Sequence, residues 1–145
     1  MQQFDAVDPD FESRVRAGFQ RQQFMSTLGA HMTKVTAGEV HIEIRFNPAW
    51  TQQHEFVHGG VITSIVDSAC GFAAFTLMPA GSEVLTVEYK INFLAPARGD
   101  RFVGIGLVVK PGRTLTVCSG EVLAYQNGDE RLIATMQTTM MMIAR

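Results

Sequence analysis

The amino-acid sequence predicts an α+β domain in which one antiparallel sheet of six strands wraps around one long apolar helix. Two observations predict this fold: residues 61–80 are apolar almost throughout, and apolar and polar residues alternate strictly in the segments before and after them. A sheet can bury a helix that is apolar on all sides only by curling around it. No change of composition divides the 145 residues, so we expect one domain over residues 1–145.

An additional helix is predicted near the N-terminus. Asp8-Pro9-Asp10 is typical of a helix start, and Gly29 ends the pattern that follows. Between them, apolar residues recur at roughly helical spacing. These residues are Phe11, Val15 and Phe19, with Phe24 and Leu28 beyond.

Alternation with a period of two predicts the strands. Residues 32–46 predict two short strands joined by a turn at Ala37-Gly38, and residues 85–93 give the clearest strand of the chain. Three longer segments follow at 101–110, 113–125 and about 131–143. Turn residues separate them, at Pro111-Gly112 and Asn127-Gly128-Asp129. We expect these last three strands to form an antiparallel meander.

The apolar segment 61–80 permits two interpretations. It is long enough to cross a bilayer, but Asp67 near its middle would cost about 2.5–3.5 kcal/mol on the insertion scale, and Pro79 adds to the penalty. A buried central helix is therefore the prediction. A six-stranded antiparallel sheet wrapped around such a helix, with an extra N-terminal helix, is the hotdog fold.

Composition and charge exclude several classes of function. Twelve Lys and Arg against fourteen Asp and Glu give a net charge of −2, so we expect neither a nucleic-acid partner nor a membrane partner. The first six residues lack the basic and apolar regions of a secretory signal, which favours the cytoplasm. Cys70 and Cys118 have no metal-ligand spacing and are expected to be reduced. A small molecule is the expected ligand.

One face of the predicted central helix carries a narrow stripe of small and polar residues. The stripe consists of Gly60, Ser64, Asp67 and Gly71. It could line a ligand slot, or it could be the side of the helix that lies nearest to solvent. The preceding His58-Gly59 favours the first interpretation, because backbone N–H groups at a helix start are unsatisfied and suit a developing oxyanion.

The string Gln52-Gln53-His54-Glu55-Phe56-Val57-His58-Gly59-Gly60, followed by Asp67, resembles the acyl-CoA thioesterases of the hotdog superfamily. The likeness is greatest to the phenylacetate-pathway type. It continues through residues 86–96, which look like the next strand of that family, and it covers about residues 30–143. The spacing of His-Gly-Gly and Asp is fairly specific for this branch but does not fix the substrate.

The resemblance implies a set of site residues and no cofactor or metal. The resemblance implies that Asp67, the acidic residue of the central helix, acts as a general base or a nucleophile. It implies that Gly59, the first glycine after the histidine, donates its N–H to the oxyanion. The side-chain amide of Gln52 (or Gln53) and the hydroxyl of Thr86 would place the attacking water. His58 is expected to fix the loop, next to Gly60, Ser64 and Gly71 in the substrate site.

The resemblance also implies partners: an acyl-CoA substrate and further copies of the chain, as a homodimer and then a tetramer. Basic residues near the predicted turns would bind the phosphates of coenzyme A, or they are ordinary solvated charges. They are Arg98, Lys110 and Arg113. Two rival functions remain, a hydratase or dehydratase that leaves the thioester intact, and an acyl-CoA binding protein without catalysis.

Three weaker patterns receive no functional role. His54 and His58 lie four residues apart, as in some zinc helices, but the glycines that follow indicate a loop. Gly104-Ile105-Gly106 lacks the third glycine of a dinucleotide site and reads as strand glycines at a bend. The run of methionines at 140–142 predicts an edge or interface strand, although it could line an acyl pocket.

Overall fold

The computed structural model describes residues 2–144 and confirms the predicted hotdog fold. Within these residues six antiparallel strands wrap around one long helix, accompanied by two short helices and a 3-10 turn. The elements are α1 Phe11–Gln20, α2 Gln23–Thr27, β1 His31–Thr36, β2 Glu39–Arg45, the 3-10 turn Pro48–Trp50, α3 Gly59–Phe75, β3 Ser82–Phe93, β4 Arg101–Lys110, β5 Leu115–Gln126 and β6 Asp129–Ala144.

The strands follow the order β1-β2-β4-β5-β6-β3 across the sheet. The predicted meander of the last three strands is confirmed. Strand β3 does not join β4, its neighbour in sequence, but crosses to β6, where Thr86 pairs with Met140. Consequently β3 is an edge strand. The methionine run predicted an edge or interface strand, but β6 lies inside the sheet, between β5 and β3, so the prediction of an edge position is wrong.

Two glycines of β4 allow α3 to lie very close to the sheet. A Cβ added at Gly106 would lie 2.3 Å from the carbonyl carbon of Ala69, and one added at Gly104 would lie 3.1 Å from that of Ile65. Both neighbours are backbone atoms of α3, so a Cβ does not fit at position 106, and at position 104 it would require the helix to move by a few tenths of an ångström. The sequence predicted strand glycines at a bend. The structure instead explains both glycines by the close contact between β4 and the central helix.

The predicted N-terminal helix is two helices. Gln22 has an extended ψ of 104°, and this residue separates α1 from α2. The break lets the chain turn while Val15, Met25 and Leu28 all remain buried against the core. The sequence pattern did not show the break, because the apolar spacing continues across it.

The central helix is shorter than predicted. It ends at Phe75, and the Thr76 hydroxyl then donates to the carbonyl of Ala73 at 2.6 Å and accepts from the N–H of Gly38 at 2.8 Å. These two bonds fix the helix end to the β1–β2 turn, before Pro79. None of the helices within residues 2–144 has both the length and the apolar character needed to cross a membrane.

Candidate active site

Asp67 projects from α3 into a cavity of about 360 Å³. The hydroxyl of Thr86, on β3, donates a hydrogen bond of 2.9 Å to Asp67 Oδ1. The same hydroxyl lies 3.5 Å from the sulfur of Met140, which is fully buried beneath it. Two residues 19 positions apart in the sequence thus meet in one polar pair at the wall of a cavity that both polar and apolar side chains line.

The environment of Asp67 changes its acidity. Partial burial raises the pKa of the Asp67 carboxyl above its ordinary value, and the hydrogen bond from Thr86 offsets part of this rise. Removal from water destabilises the charged form, whereas a donor stabilises it. A carboxylate with a raised pKa is a stronger base once it is ionised, which suits it to accept a proton from water.

The remaining walls of this cavity come from α1, α3, β3 and β6. Lining residues besides the pair are Gly18, Arg21, Gln22, Ser68, Gly71, Phe72, Phe75, Glu83, Val84 and Met140. The sequence analysis did not single out Gly18, which lies on α1, or Arg21, which directly follows that helix, because no local pattern reveals where the helix packs. Met140 lines the cavity because β6 pairs with β3, which agrees with the alternative that the methionine run lines a pocket.

The predicted small-residue stripe is divided in the structure. Asp67 and Gly71 line the cavity together, one helical turn apart. Gly60 and Ser64 belong to the first turns of α3, where the Ser64 hydroxyl donates to the Gly60 carbonyl at 2.7 Å. These two residues are not among those that line the Asp67 cavity.

The start of α3 leaves one backbone donor available. His58 is the N-cap, and its Nδ1 accepts from the N–H of Gly60 at 2.8 Å, while its carbonyl accepts from the N–H groups of Val61 and Ile62. Helix geometry leaves the first N–H groups without intrahelical partners. Within residues 2–144 the N–H of Gly59 has no such acceptor, so it is the free donor of this turn.

Gln52 and Gly59 line a second cavity, of about 270 Å³. The Gln52 side-chain oxygen accepts from the backbone N–H groups of His54 and Phe56, and so holds the loop that leads into α3. The ring of Phe93, from the end of β3, covers Gly59 and lines the same cavity. Gln53 is exposed and is not one of the lining residues.

The two cavities are well separated along α3. Gly59 and Asp67 lie eight residues apart on one continuous helix, which corresponds to roughly 12 Å along its axis. A carbonyl group that accepts a hydrogen bond from Gly59 must be within about 3 Å of that N–H. Within one chain, therefore, Asp67 does not reach the carbonyl that Gly59 would bind.

The three basic residues do not form one cluster within the chain. Arg98 precedes β4, whereas Lys110 ends it and Arg113 follows in the turn, and ten residues of strand span roughly 33 Å. Arg98 lies over the ring of Phe56 at 5.0 Å, beside the Gly59 cavity. Lys110 and Arg113 lie at the other end of the sheet, where β5 begins level with Met140 and Thr86.

The two cysteines are buried free thiols. Burial is the main cause that raises the pKa of Cys70 well above its ordinary value, and burial raises the pKa of Cys118 to about 12. A thiol reacts as the thiolate, which such an environment disfavours. These side chains therefore serve packing between α3 and β5.

Comparison with known proteins identifies the family. Residues 54–130 match the family model described as the thioesterase superfamily. A thioesterase family protein from Silicibacter pomeroyi has a solved structure that covers 93% of this chain and 99% of its own, with 47% identity and a TM-score of 0.92.

Two further similarities agree with this match. The structure of Escherichia coli PaaI, from the phenylacetic acid degradation operon, shares the fold at a TM-score of 0.84 and 18% identity, over 96% of this chain and 97% of PaaI. Salmonella typhimurium YigI, named a medium/long-chain acyl-CoA thioesterase, is 28% identical over 105 residues, which are 63% of this chain and 64% of YigI. The chain belongs to the thioesterase superfamily and is a thioester hydrolase.

Proposed function

We propose that the protein hydrolyses acyl-CoA thioesters whose acyl group is apolar, aromatic or of medium length. The observation that carries the proposal is the partly buried Asp67, bonded by Thr86 in a cavity whose walls include Phe72 and Phe75. The named activity of the YigI relative supports coenzyme A esters as the substrate class. We keep the cytoplasm as the expected location.

In this proposal Asp67 acts as a general base. Its carboxylate removes a proton from a water molecule, and the water oxygen attacks the thioester carbonyl carbon. The carbonyl oxygen gains negative charge and is stabilised by the N–H of Gly59, whose position at the start of α3 adds the helix dipole. Collapse of the intermediate breaks the C–S bond, the proton passes to the sulfur, and the carboxylic acid and free coenzyme A are released. The reaction needs no metal or cofactor.

The active site in this proposal is built from two chains. Strand β3 is an edge, and its residues Leu85, Val87 and Tyr89 are 55%, 53% and 45% exposed. An exposed apolar edge is a template for pairing with another strand. A two-fold pairing of β3 with its copy would bury these side chains and would bring Gly59 of one chain opposite Asp67 of the other, with two equivalent sites per dimer.

Release of free thiol tests the function directly. A panel of acyl-CoA esters that differ in chain length and aromaticity is incubated with the protein, and a thiol reagent measures coenzyme A. We expect turnover on at least one apolar ester. Loss of an enoyl absorbance without thiol release would instead indicate a hydratase or dehydratase, and binding in calorimetry without either change would indicate a protein that only binds acyl-CoA.

The pH dependence of hydrolysis should follow Asp67. Because the base must be ionised, kcat/KM should fall as the pH drops through the pKa of Asp67, which burial raises above the ordinary carboxyl value. Thr86→Val removes the donor that stabilises the carboxylate, so its acidic limb should move to higher pH. A limb in the same place for Thr86→Val and the wild type would show that this hydrogen bond does not control the base.

Arg113 is proposed to contact the coenzyme A phosphates, together with Lys110 and, from the Gly59 side, Arg98. A phosphate contact is equal in the ground and transition states, so Arg113→Ala should raise KM about threefold to tenfold with little change in kcat. The effect should weaken as salt rises. Arg45→Ala, an exposed arginine on β2, is the matched control. Equal KM values for both variants and the wild type would remove Arg113 from the site.

A further inference from the structure

The cavity around Asp67 extends along α3 toward the N-terminal helix. From Asp67 it continues past Gly71 to Phe72 and Phe75, and it is closed by Gly18 of α1 and by Arg21 directly after that helix. Eight helical residues correspond to roughly 12 Å. An extended chain advances at most about 1.2 Å per bond, since a residue of three backbone bonds spans about 3.6 Å, so this length fits roughly ten bonds.

Gly18 stands where this cavity ends, and nothing in its backbone or packing requires a glycine. A Cβ added there would lie 3.4 Å from Cε1 of Phe72 and 3.8 Å from Cε2 of Phe75, which are ordinary contacts. Its φ is not in the left-handed region. Glycine within a helix is less stable than alanine. Neither backbone conformation nor packing therefore explains the glycine at position 18. The absence of a side chain there does enlarge the cavity.

Helix α1 is held firmly enough to act as a fixed wall. Nε of Arg14 donates to Asp8 at 2.8 Å, and Nη2 donates to the carbonyls of Phe75 and Met78 at 3.3 and 2.8 Å. The same guanidinium lies 4.3 Å from the ring centroid of Phe75. In addition, Phe19 packs edge-on against Phe72. These contacts fix α1 against the end of α3 on both sides of the position of Gly18.

We propose that Gly18 determines the longest acyl chain that the enzyme accepts, by setting the depth of the Asp67 cavity. The inference rests on the proposed function, because it places the acyl group in this cavity. It also narrows the substrate class to chains of about eight to ten carbons. A larger side chain at position 18 would fill the end of the cavity from α1 and would leave the reacting groups around Asp67 unchanged.

Binding of inert substrate analogues tests this proposal separately from catalysis. The probes are 2-oxoalkyl-CoA thioethers of two to twelve acyl carbons, in which a methylene separates the carbonyl from the sulfur, so that no hydrolysis occurs. For the wild type, calorimetry should show affinity that rises roughly fourfold per methylene and then becomes constant near eight to ten carbons. In Gly18→Leu the affinity should become constant several carbons earlier. The ten-carbon probe should bind at least about 30-fold more weakly than to the wild type, and the two-carbon probe should bind equally well.

Ala17→Leu is the matched control, since Ala17 is exposed on the same helix, and it should follow the wild-type profile. If Gly18→Leu does not fold, Gly18→Ala replaces it: its methyl group fits, and it should weaken only the longest probes while raising the melting temperature. An unchanged chain-length profile in a folded Gly18 variant would overturn the inference, as would a wild type whose affinity does not depend on chain length. Thiol release from true esters is measured in parallel, so that normal binding without hydrolysis would refute the proposed function and leave the role of Gly18 standing.

Discussion

Asp67→Asn should lower kcat by at least about 100-fold, which is the usual contribution of a positioned general base. The amide cannot accept a proton from water at neutral pH, but it has nearly the same shape and can still accept the hydrogen bond from Thr86. The KM for the substrate should change little, because the carboxylate acts on the attacking water and not on the bound ester. Initial rates of thiol release measure both constants.

The same substitution should not weaken the fold. Burial raises the pKa of Asp67 in the folded chain, so ionising this carboxyl disfavours the folded state as the pH rises through that pKa. Asparagine does not ionise. The melting temperature of Asp67→Asn should therefore be no lower than that of the wild type at pH 7, and the difference between the two should shrink in acid.

Asp129→Asn makes the same chemical change at the exposed start of β6 and is the control for Asp67→Asn. It should retain wild-type kcat. If Asp67→Asn keeps more than about a tenth of the wild-type rate, the carboxylate is not the base, and the general-base mechanism fails. A large loss in both variants would point instead to a general effect of the lost charge.

The sequence predicts the fold well because the fold depends on local periodicity. The alternation in Val40, Ile42 and Ile44 and the apolar character of α3 are properties of single elements, and the structure buries these residues as expected. The position of β3 is different. Its alternating pattern is the clearest in the chain, but such a pattern does not specify which strand becomes its neighbour, and most of β3 is exposed at an edge.

The site residues also differ in whether a local sequence pattern predicts their position. The Asp67 and Gly59 positions follow from a motif that is continuous in sequence, and the structure places them on one helix. Met140 and Gly18 come to the Asp67 cavity through strand pairing and helix docking, which depend on contacts between residues far apart in the chain. A sequence pattern within one element carries no information about such contacts. Gly18 therefore becomes visible only in the structure, and the methionine run indicated a pocket as one alternative but not its position beside Asp67.

Two inactive variants should restore activity together if the site is shared between chains. The first is Asp67→Asn. The second is Gly59→Pro, which removes the proposed oxyanion donor. Proline is tolerated at the first position of a helix, and His58 before it has the extended ψ of 136° that proline requires of its predecessor. Loss of one oxyanion-hole donor typically lowers kcat by about 10²–10³-fold.

Gly59→Ala separates the lost donor from the added bulk. A Cβ at this position would lie 3.1 Å from Cζ of the Phe93 ring, and both alanine and proline carry it. Alanine keeps the N–H, so Gly59→Ala should retain most of the activity that Gly59→Pro loses. Equal losses in the two variants would mean that displacement of Phe93, and not the missing hydrogen bond, is the cause.

Mixing the Asp67→Asn and Gly59→Pro chains then tests which groups share a site. After subunit exchange in equal amounts, about half of the dimers are mixed, and each mixed dimer pairs an intact Gly59 from one chain with an intact Asp67 from the other. Its second site carries both substitutions. Activity should therefore recover to roughly a quarter of the wild-type value per chain under the two-fold arrangement. Exchange itself is verified by mass spectrometry of differently tagged chains. Exchanged mixtures that remain as inactive as their parents would show that each site lies within a single chain. The two-chain proposal, which depends on the roughly 12 Å between Gly59 and Asp67 along α3, would then be wrong.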